Sequence, residues 1–261
     1  MRQQTNEAAR EESLRREWEA EEAVAHIHGW DFSHIEGRYS SEDDLPWDYR
    51  AIVLSLLRPD TRLLDYDTGG GEFLLSLGHE RRLTAATEGY PPNVALCRET
   101  LLPLGVDFRP CADPSHIPFE DASFDLMINR HGSFDPQEIH RLLRPGGVFV
   151  TQQVGARNDR DLVELVFPGA GTPDSPLYMD VQCRAFEQAG FRILQADEAF
   201  RPIVFYDVGA FVWFARIIEW EFPGFSVEKC FPRLLALQKE IDAGGRIEGT
   251  AHRYLIVARK E

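Results

Sequence analysis

The segment that predicts the fold reads Leu63-Leu64-Asp65-Tyr66-Asp67-Thr68-Gly69-Gly70-Gly71-Glu72-Phe73. A short apolar run leads into three consecutive glycines, and residues 73–77 then show the pattern of a helix. A glycine turn between a strand and a helix lets backbone N–H groups approach a ligand at the carboxyl end of the strand, because no Cβ atom stands in the way. The segment therefore indicates an α/β protein with a ligand site after its first core strand.

On both sides of this segment, short apolar runs alternate with helical patterns. We expect strands at 62–66, 83–87, 106–109, 124–129, 147–152, 191–194 and 253–259, and helices at 73–77, 92–102, 136–143, 161–167 and 181–190. Strands that alternate with helices at this spacing imply right-handed crossovers and a parallel sheet. A helix through 51–57, capped by Asp44 and opened by Pro46, is expected before the first core strand.

The first 50 residues are predicted to form a helical extension. Residues 5–28 carry the helix-spaced pairs Glu11–Arg15 and Glu12–Arg16, with Leu14 and Trp18 one turn apart on the apolar side. That stripe either packs on the main domain or serves as a lid or dimer contact, so a homodimer stays open. The second domain spans 51–261, with an inserted loop at 155–179 and an apolar, helical segment at 208–240.

Composition narrows the classes of partner. The 261 residues contain 28 Lys plus Arg against 43 Asp plus Glu, a formal net charge of −15, which makes nucleic acid a disfavoured partner. No run of about 18 apolar residues and no apolar leader is seen, so we expect a cytoplasmic protein that does not enter the membrane. The four cysteines are widely spaced and fit free thiols, and the histidines show no metal-ligand spacing, so no metal is predicted.

A carboxylate at the end of the second core strand points to a nucleoside-containing cofactor. Glu88 lies 23 residues after Asp65, where a carboxylate can accept both hydroxyl groups of a ribose. A dinucleotide fingerprint would need a further glycine at position 74, where Leu74 stands. NAD-dependent reduction is therefore the least favoured reaction.

The glycine turn resembles the D-x-G-x-G-x-G motif of class I S-adenosylmethionine-dependent methyltransferases. Further segments in register carry the same resemblance: Glu88-Gly89, Cys111-Ala112-Asp113, Ile117-Pro118-Phe119, Ser123-Phe124-Asp125 and Leu142-Leu143-Arg144-Pro145-Gly146-Gly147. The match covers roughly residues 50–155. It implies a Rossmann-like methyltransferase fold, with a mostly parallel sheet of about seven strands and helices on both faces, and S-adenosyl-L-methionine as the cofactor.

The resemblance also implies roles for individual residues. Asp65 would orient the turn, while Asp67, Thr68, Gly69 and Gly71 would line the methionine moiety. Glu88 and Gly89 would bind the ribose, and Ala112 and Asp113 would flank the adenine. Asn129 and Arg130 would bound the sulfonium side at the end of the fourth core strand. Tyr49 precedes the first core strand, where this family often folds a helix over the cofactor, and its ring would shield the sulfonium.

One residue departs from the family motif. Asp67 stands where the family has its first glycine. Its carboxylate would attract a ligand that carries an ammonium and a sulfonium, but its volume would also obstruct that ligand. Both outcomes are compatible with the sequence, and the second would make the chain a non-catalytic, methyltransferase-like binding protein.

The acceptor is expected to be a small, partly apolar molecule. Trp30, Phe32 and Trp47, the loop 155–179 and the aromatic stretch 208–220 lie outside the shared core and would select it. His131, which follows the fourth core strand, is the candidate general base if the acceptor must lose a proton. RNA methylation by the same fold is a further alternative, against which the net charge argues.

Overall fold

The computed structural model describes residues 2–26, 31–41, 44–172 and 175–261. The helices are α1 Arg2–Ala23, α2 Tyr49–Leu56, α3 Glu72–Ser76, α4 Pro91–Thr100, α5 Pro136–Leu142, α6 Arg160–Val166, α7 Met179–Gln188, α8 Val208–Ile217 and α9 Val227–Asp242. The strands are β1 Tyr39–Ser41, β2 Leu63–Asp65, β3 Thr84–Glu88, β4 Asp107–Pro110, β5 Phe124–Arg130, β6 Leu143–Val154, β7 Phe191–Phe205 and β8 Ile247–Lys260.

The chain divides into two compact units, each assembled from three segments. One, here called the sheet unit, comprises Leu45–Ala156, Ser175–Ala199 and Arg253–Glu261. The other, called the helical unit, comprises Met1–Asp44, Arg157–Asp174 and Phe200–His252. Whether residues 1–50 act as a lid stays a prediction.

The sheet unit contains a mostly parallel sheet, as expected. Across the described residues the strand order is β1-β7-β8-β6-β5-β2-β3-β4, where β1 joins the C-terminal part of β7 inside the helical unit. Strand β2 pairs in parallel with β3 and β5, and β5 pairs in parallel with β6, while β8 runs antiparallel to β6. The parallel strands therefore end at one edge, which is the edge where α/β sheets bind ligands.

Apolar side chains cover both faces of this sheet. Leu63 packs on one face with Val53 of α2 and Leu101 after α4. Its neighbour Leu64 packs on the other face with Ile139 of α5. Successive residues of a strand point to opposite faces, so a strand that is apolar at every position needs helices on both sides. The predicted layers and the Rossmann-like fold are confirmed.

The helical unit has its own core. Trp18 of α1 is 1% exposed and its ring lies 5.7 Å from that of Phe231 in α9. The aromatic stretch 208–220 packs into this core through Phe211, Trp213 and Phe214, whereas Trp220 is 63% exposed. Most of the stretch therefore packs into a core, although the sequence predicted a role for it in selecting the acceptor. Trp30 lies outside the described residues.

Three expectations about individual elements are wrong. The sequence pattern predicts no strand at Tyr39–Ser41, but this segment pairs antiparallel with residues 203–205, which adds an eighth strand to the expected seven. Helix α2 begins at Tyr49, and its cap is Asp48, whose Oδ1 accepts from the Ala51 N–H at 2.9 Å. Asp44 instead pairs with Arg201, 2.8 Å away. Strand β7 continues to Phe205, far beyond the expected 191–194.

No helix in the described ranges is both long and apolar enough to span a bilayer.

Candidate functional site

The glycine turn follows β2 directly and is held by its own backbone. The Thr68 N–H donates to the Thr87 carbonyl of β3 at 2.9 Å, and the Gly71 N–H donates to the Thr68 carbonyl at 3.2 Å. Gly69 and Gly71 have φ angles of 66° and 85°, which are left-handed values that glycine adopts without steric cost. The turn therefore leads β2 into α3 in the shape that the sequence predicts.

Asp65 lies beneath this turn and orients it. Its carboxylate accepts the Thr68 hydroxyl at 2.6 Å, and the residue is only 5% exposed. Burial raises the pKa of Asp65 to about 7, against the opposing effect of the Thr68 hydrogen bond. The side chain thus holds the turn from inside and is shielded from solvent.

Glu88 joins the end of β3 to the turn. One carboxylate oxygen accepts the N–H groups of Gly89 and Tyr90, both at 2.8 Å. The other accepts the Gly69 N–H at 2.7 Å. The predicted ribose-binding acid and the glycine turn are therefore direct neighbours, although they lie on different loops.

Asp67 adds another carboxylate at the same place. It has a left-handed φ of 61°, and its carboxylate lies close enough to Glu88 to feel the charge of that residue. Burial, followed by the Glu88 charge, raises the pKa of Asp67 to about 6. A Cβ atom built on Gly132 would lie 2.3 Å from Asp67 Oδ2, so the carboxylate reaches across to the loop after β5 and only glycine fits opposite it.

The end of β5 is a buried polar network. Asn129 is fully buried, donates from Nδ2 to the Tyr66 carbonyl at 2.8 Å, and accepts from Gln153 Nε2 at 2.6 Å. The Tyr49 hydroxyl of α2 donates to the Asn129 carbonyl at 3.1 Å. The predicted pair Asn129 and Tyr49 is thus brought together, but the Asn129 amide is already used by the protein.

Arg130 points differently from Asn129. Its side chain is exposed, and its guanidinium lies 4.9 Å from the centre of the Phe73 ring of α3. The ring of Tyr49 packs against the same Phe73 at 5.4 Å. Arg130, Phe73 and Tyr49 therefore form one side of the site beyond the glycine turn.

The loop after β4 closes against Gly89. A Cβ atom on Gly89 would lie 2.8 Å from Ala112 Cα, and the Cys111 N–H donates to the Glu88 carbonyl at 2.9 Å. Ala112 is therefore adjacent to Gly89 and close to Glu88, the predicted ribose-binding acid. Asp113 is exposed, and its carboxylate accepts the Ser115 hydroxyl and N–H, which lower its pKa. Its carboxylate is turned into its own loop.

His131 directly follows β5, has a left-handed φ of 64° and is exposed. The His131 ring Nε2 is 3.4 Å from Gln152 Nε2, and the His131 backbone N–H donates to the Gln152 backbone carbonyl at 2.9 Å. The side chain retains accessible surface, but the surrounding protein, followed by the charges of Arg253 and Arg130, lowers the pKa of the imidazole. The imidazole is therefore neutral and a weak base at physiological pH.

Sequence reasoning missed the glutamines that end β6. Gln152 accepts the Trp47 indole N–H at 2.8 Å, and Gln153 bridges Asn129, Thr151 and the Gly132 carbonyl. Both side chains are buried. Two adjacent glutamines at the end of an apolar strand are a signal that could have drawn attention to them, because buried amides need partners.

Comparisons with known proteins agree with this geometry. Residues 64–151 match the family model described as a methyltransferase domain. A demethylmenaquinone methyltransferase of Thermus thermophilus is 34% identical over 137 residues, which are 46% of this chain and 62% of that protein. The match therefore spans less than two thirds of the relative.

Solved structures share the fold. A proposed methyltransferase of Bacillus halodurans superposes with a TM-score of 0.58 at 18% identity, over 82% of this chain and 98% of that one. The YcgJ protein of a Bacillus species gives 0.56 at 17% identity, also over 82% and 98%. Such identities establish the fold alone. The family model and the curated relative thus show that residues 64–151 are similar to methyltransferase domains, and the solved structures show that the chain shares the fold.

Proposed function

We propose that this chain transfers the methyl group of S-adenosylmethionine to a small, partly apolar acceptor. The observation that carries the proposal is the contact between Glu88 and Gly69, at 2.7 Å. It sets a buried carboxylate from the end of β3 beside the glycine turn after β2. This is the arrangement that a nucleoside attached to a charged tail requires.

The residues of the site fit such a cofactor. Asp65, Asp67 and Glu88 converge on the turn, and two of them have pKa values raised by burial and mutual repulsion. A ligand with an ammonium and a sulfonium would relieve that repulsion, because opposite charges a few ångströms apart attract even near a surface. The close packing of Gly89 on Ala112 leaves a narrow adenine side.

When bound, the cofactor supplies an activated methyl group on a positively charged sulfur. Glu88 would hold the ribose hydroxyls, the turn 67–71 would line the methionine part, and Ala112 and Asp113 would flank the adenine. The Asp113 carboxylate would have to leave Ser115 to accept from the adenine. Much of the acceleration in such a displacement comes from proximity and orientation.

The relative and the aromatic residues support an apolar acceptor. The Thermus thermophilus relative is named for demethylmenaquinone, a quinone. In this chain Trp47 and Tyr49 stand before the first core strand, and both are buried. We infer an acceptor with a flat, apolar ring system. His131 would assist only if the acceptor loses a proton easily, because the imidazole is a weak base here.

The test is calorimetric titration of S-adenosylmethionine into the native protein, Glu88→Ala and Glu99→Ala. Glu99 is an exposed carboxylate on α4 and controls for loss of charge. We expect micromolar binding to the native protein and to Glu99→Ala, about −8 kcal/mol. Glu88→Ala should bind at least about tenfold more weakly, because charged hydrogen bonds are worth about 1.5–3 kcal/mol. Equal affinity in Glu88→Ala would remove the ribose assignment.

A non-catalytic binding protein is the second candidate. The observation that favours it is the position of the Asp67 carboxylate, which stands in the glycine turn close to Glu88, the predicted ribose-binding acid. If the native protein does not bind S-adenosylmethionine and Asp67→Gly does, this alternative is established. If the native protein binds, radiolabelled methyl transfer into the solvent-extractable fraction of a cell extract, with Glu88→Ala as the blank, tests for the acceptor.

A further inference from the structure

A cavity of about 380 Å³ opens in the sheet unit, away from the cofactor residues. Its walls include Thr61 before β2, Asp125 and Leu126 at the start of β5, and Val148 of β6. Glu88 and the glycine turn follow the ends of parallel strands, so this cavity lies at the opposite edge of the same sheet. Its volume is within the range of small-molecule sites, about 300–1,000 Å³.

A local irregularity in β6 builds one wall. Phe124 pairs with Leu143 and Leu126 pairs with Val148, so residues 144–147 stand opposite Asp125 alone. Gly146 has a left-handed φ of 78°, and a Cβ atom there would meet nothing within 4 Å. The extra residues therefore leave the ladder and expose the backbone of the turn toward the cavity.

The charges in the cavity are unevenly paired. Arg144 binds Asp125 Oδ1 at 2.8 Å, and the Arg62 N–H occupies Asp125 Oδ2 at 2.8 Å. Within the part of the chain that the structure describes, the buried Nε of Arg259 has no hydrogen-bond partner. Arg58 is exposed, and its guanidinium has no ion-pair partner among the described residues, although Asp60 also lines the cavity. The hydrogen bond of Arg58 to Thr61 is made by its backbone.

A neighbouring cavity of about 310 Å³ on the same edge shows the usual pattern. There Arg109 binds Asp107 at 2.8 Å, and Arg82 binds Glu80 at 3.3 Å. Two arginines of this second cavity therefore pair with carboxylates, whereas Arg58 and Arg259 of the first cavity have no ion pair among the described residues.

Physical chemistry indicates the class of ligand. A buried guanidinium N–H without an acceptor is destabilising, and each such group needs an explanation. The planar fork of arginine matches phosphate and carboxylate oxygens. We propose that this cavity binds the oxyanion group of a small molecule, held by Arg58 and Arg259 beside the backbone of the turn 144–147. It is a second site, separate from the cofactor site.

The test uses calorimetric titration of pyrophosphate, inorganic phosphate and succinate at constant ionic strength. Native protein should bind at least one of them, and Arg58→Gln with Arg259→Gln together should weaken binding at least about tenfold. The single variants should each weaken it less. Binding of the phosphates alone assigns a phosphate ligand, and binding of succinate with the same dependence assigns a carboxylate ligand.

The control is Arg82→Gln, which removes a charge from the same edge outside this cavity. It should leave the anion affinity unchanged. No binding of any probe at millimolar concentration, equal binding by the double variant, or an equal loss in Arg82→Gln would overturn the proposal. Thermal unfolding of each variant verifies that it is folded.

This inference does not rest on methyl transfer. Glu88→Ala should bind the anion as the native protein does, and the double arginine variant should bind S-adenosylmethionine as the native protein does. If one of the two binding proposals is wrong, the other can therefore still be tested.

Discussion

Asp67 occupies a position where both the backbone and the charge are unusual. Its φ of 61° is one that few residues other than glycine, asparagine and aspartate adopt readily. Its carboxylate faces Glu88 and lies against Gly132, in surroundings that raise its pKa to about 6. The free protein therefore keeps a proton at this site up to about pH 6, and a cationic ligand would favour its release.

This linkage predicts that S-adenosylmethionine affinity rises with pH. Between pH 5 and pH 7 the ionised fraction of Asp67 rises about tenfold, and the affinity should rise by up to that factor. Titrations at several pH values check it. Asp67→Asn should reduce the increase, with Asp65 accounting for any remainder. The same rise in Asp67→Asn and in the native protein would show that Asp67 is not the titrating group.

The free energy of unfolding should fall as the pH rises, opposite to the affinity for S-adenosylmethionine. The native pKa of Asp67 lies above its ordinary value of 3.8, so the native state keeps a proton that the unfolded chain has released. The contribution of this group to stability is therefore fully present below about pH 4 and is lost as the pH rises through 6. Urea unfolding of the native protein and of Asp67→Asn between pH 4 and pH 7 measures this, and the same loss of stability in both would contradict it.

At the scale of elements, patterns in neighbouring residues predicted the buried strands. Pairings between residues far apart in the sequence could not be predicted. Leu63, Leu64 and Met127 lie in apolar runs that predict buried parallel strands, and each is buried in the sheet. Strand β1 was missed because it is only three residues long and partly exposed, and because it pairs with a segment more than 160 residues away. The glycine motif likewise indicated that Glu88 lies near the turn. The hydrogen bond between Trp47 and Gln152 joins residues 105 positions apart, and no local sequence pattern predicts it.

The N-cap of α2 is Asp48 and not the expected Asp44, and substitution of each residue tests this assignment. Asp48 Oδ1 accepts the Ala51 N–H, so Asp48→Ala should lower the free energy of unfolding by about 1 kcal/mol. Asp44 was the expected cap, but its side chain is 71% exposed and pairs with Arg201. Asp44→Ala should therefore change stability by no more than about 0.5 kcal/mol. Urea unfolding measures both, and equal losses would contradict the assignment.

At the scale of the whole molecule, charge limits the partners. With a net charge of −15, the chain lacks the counterion release that drives binding to a polyanion. Filter binding of a short RNA hairpin at low and high salt should therefore detect no salt-sensitive affinity, beside a basic RNA-binding protein as the positive control. Salt-sensitive retention would revive the RNA methylation alternative. The arginine-lined cavity is a local exception that would admit a small anion but is not a groove for a strand.

The order of strands in the sheet also bears on how the chain is made. β8 follows every other described element in the sequence, yet it lies between β6 and β7 in the sheet. A growing chain that has not reached Ile247 therefore presents two open strand edges, on β6 and on β7. Open edges recruit other strands, so nascent or truncated forms are prone to aggregate. The sheet can be completed only after β8 has been synthesised, so its assembly depends on the progress of translation.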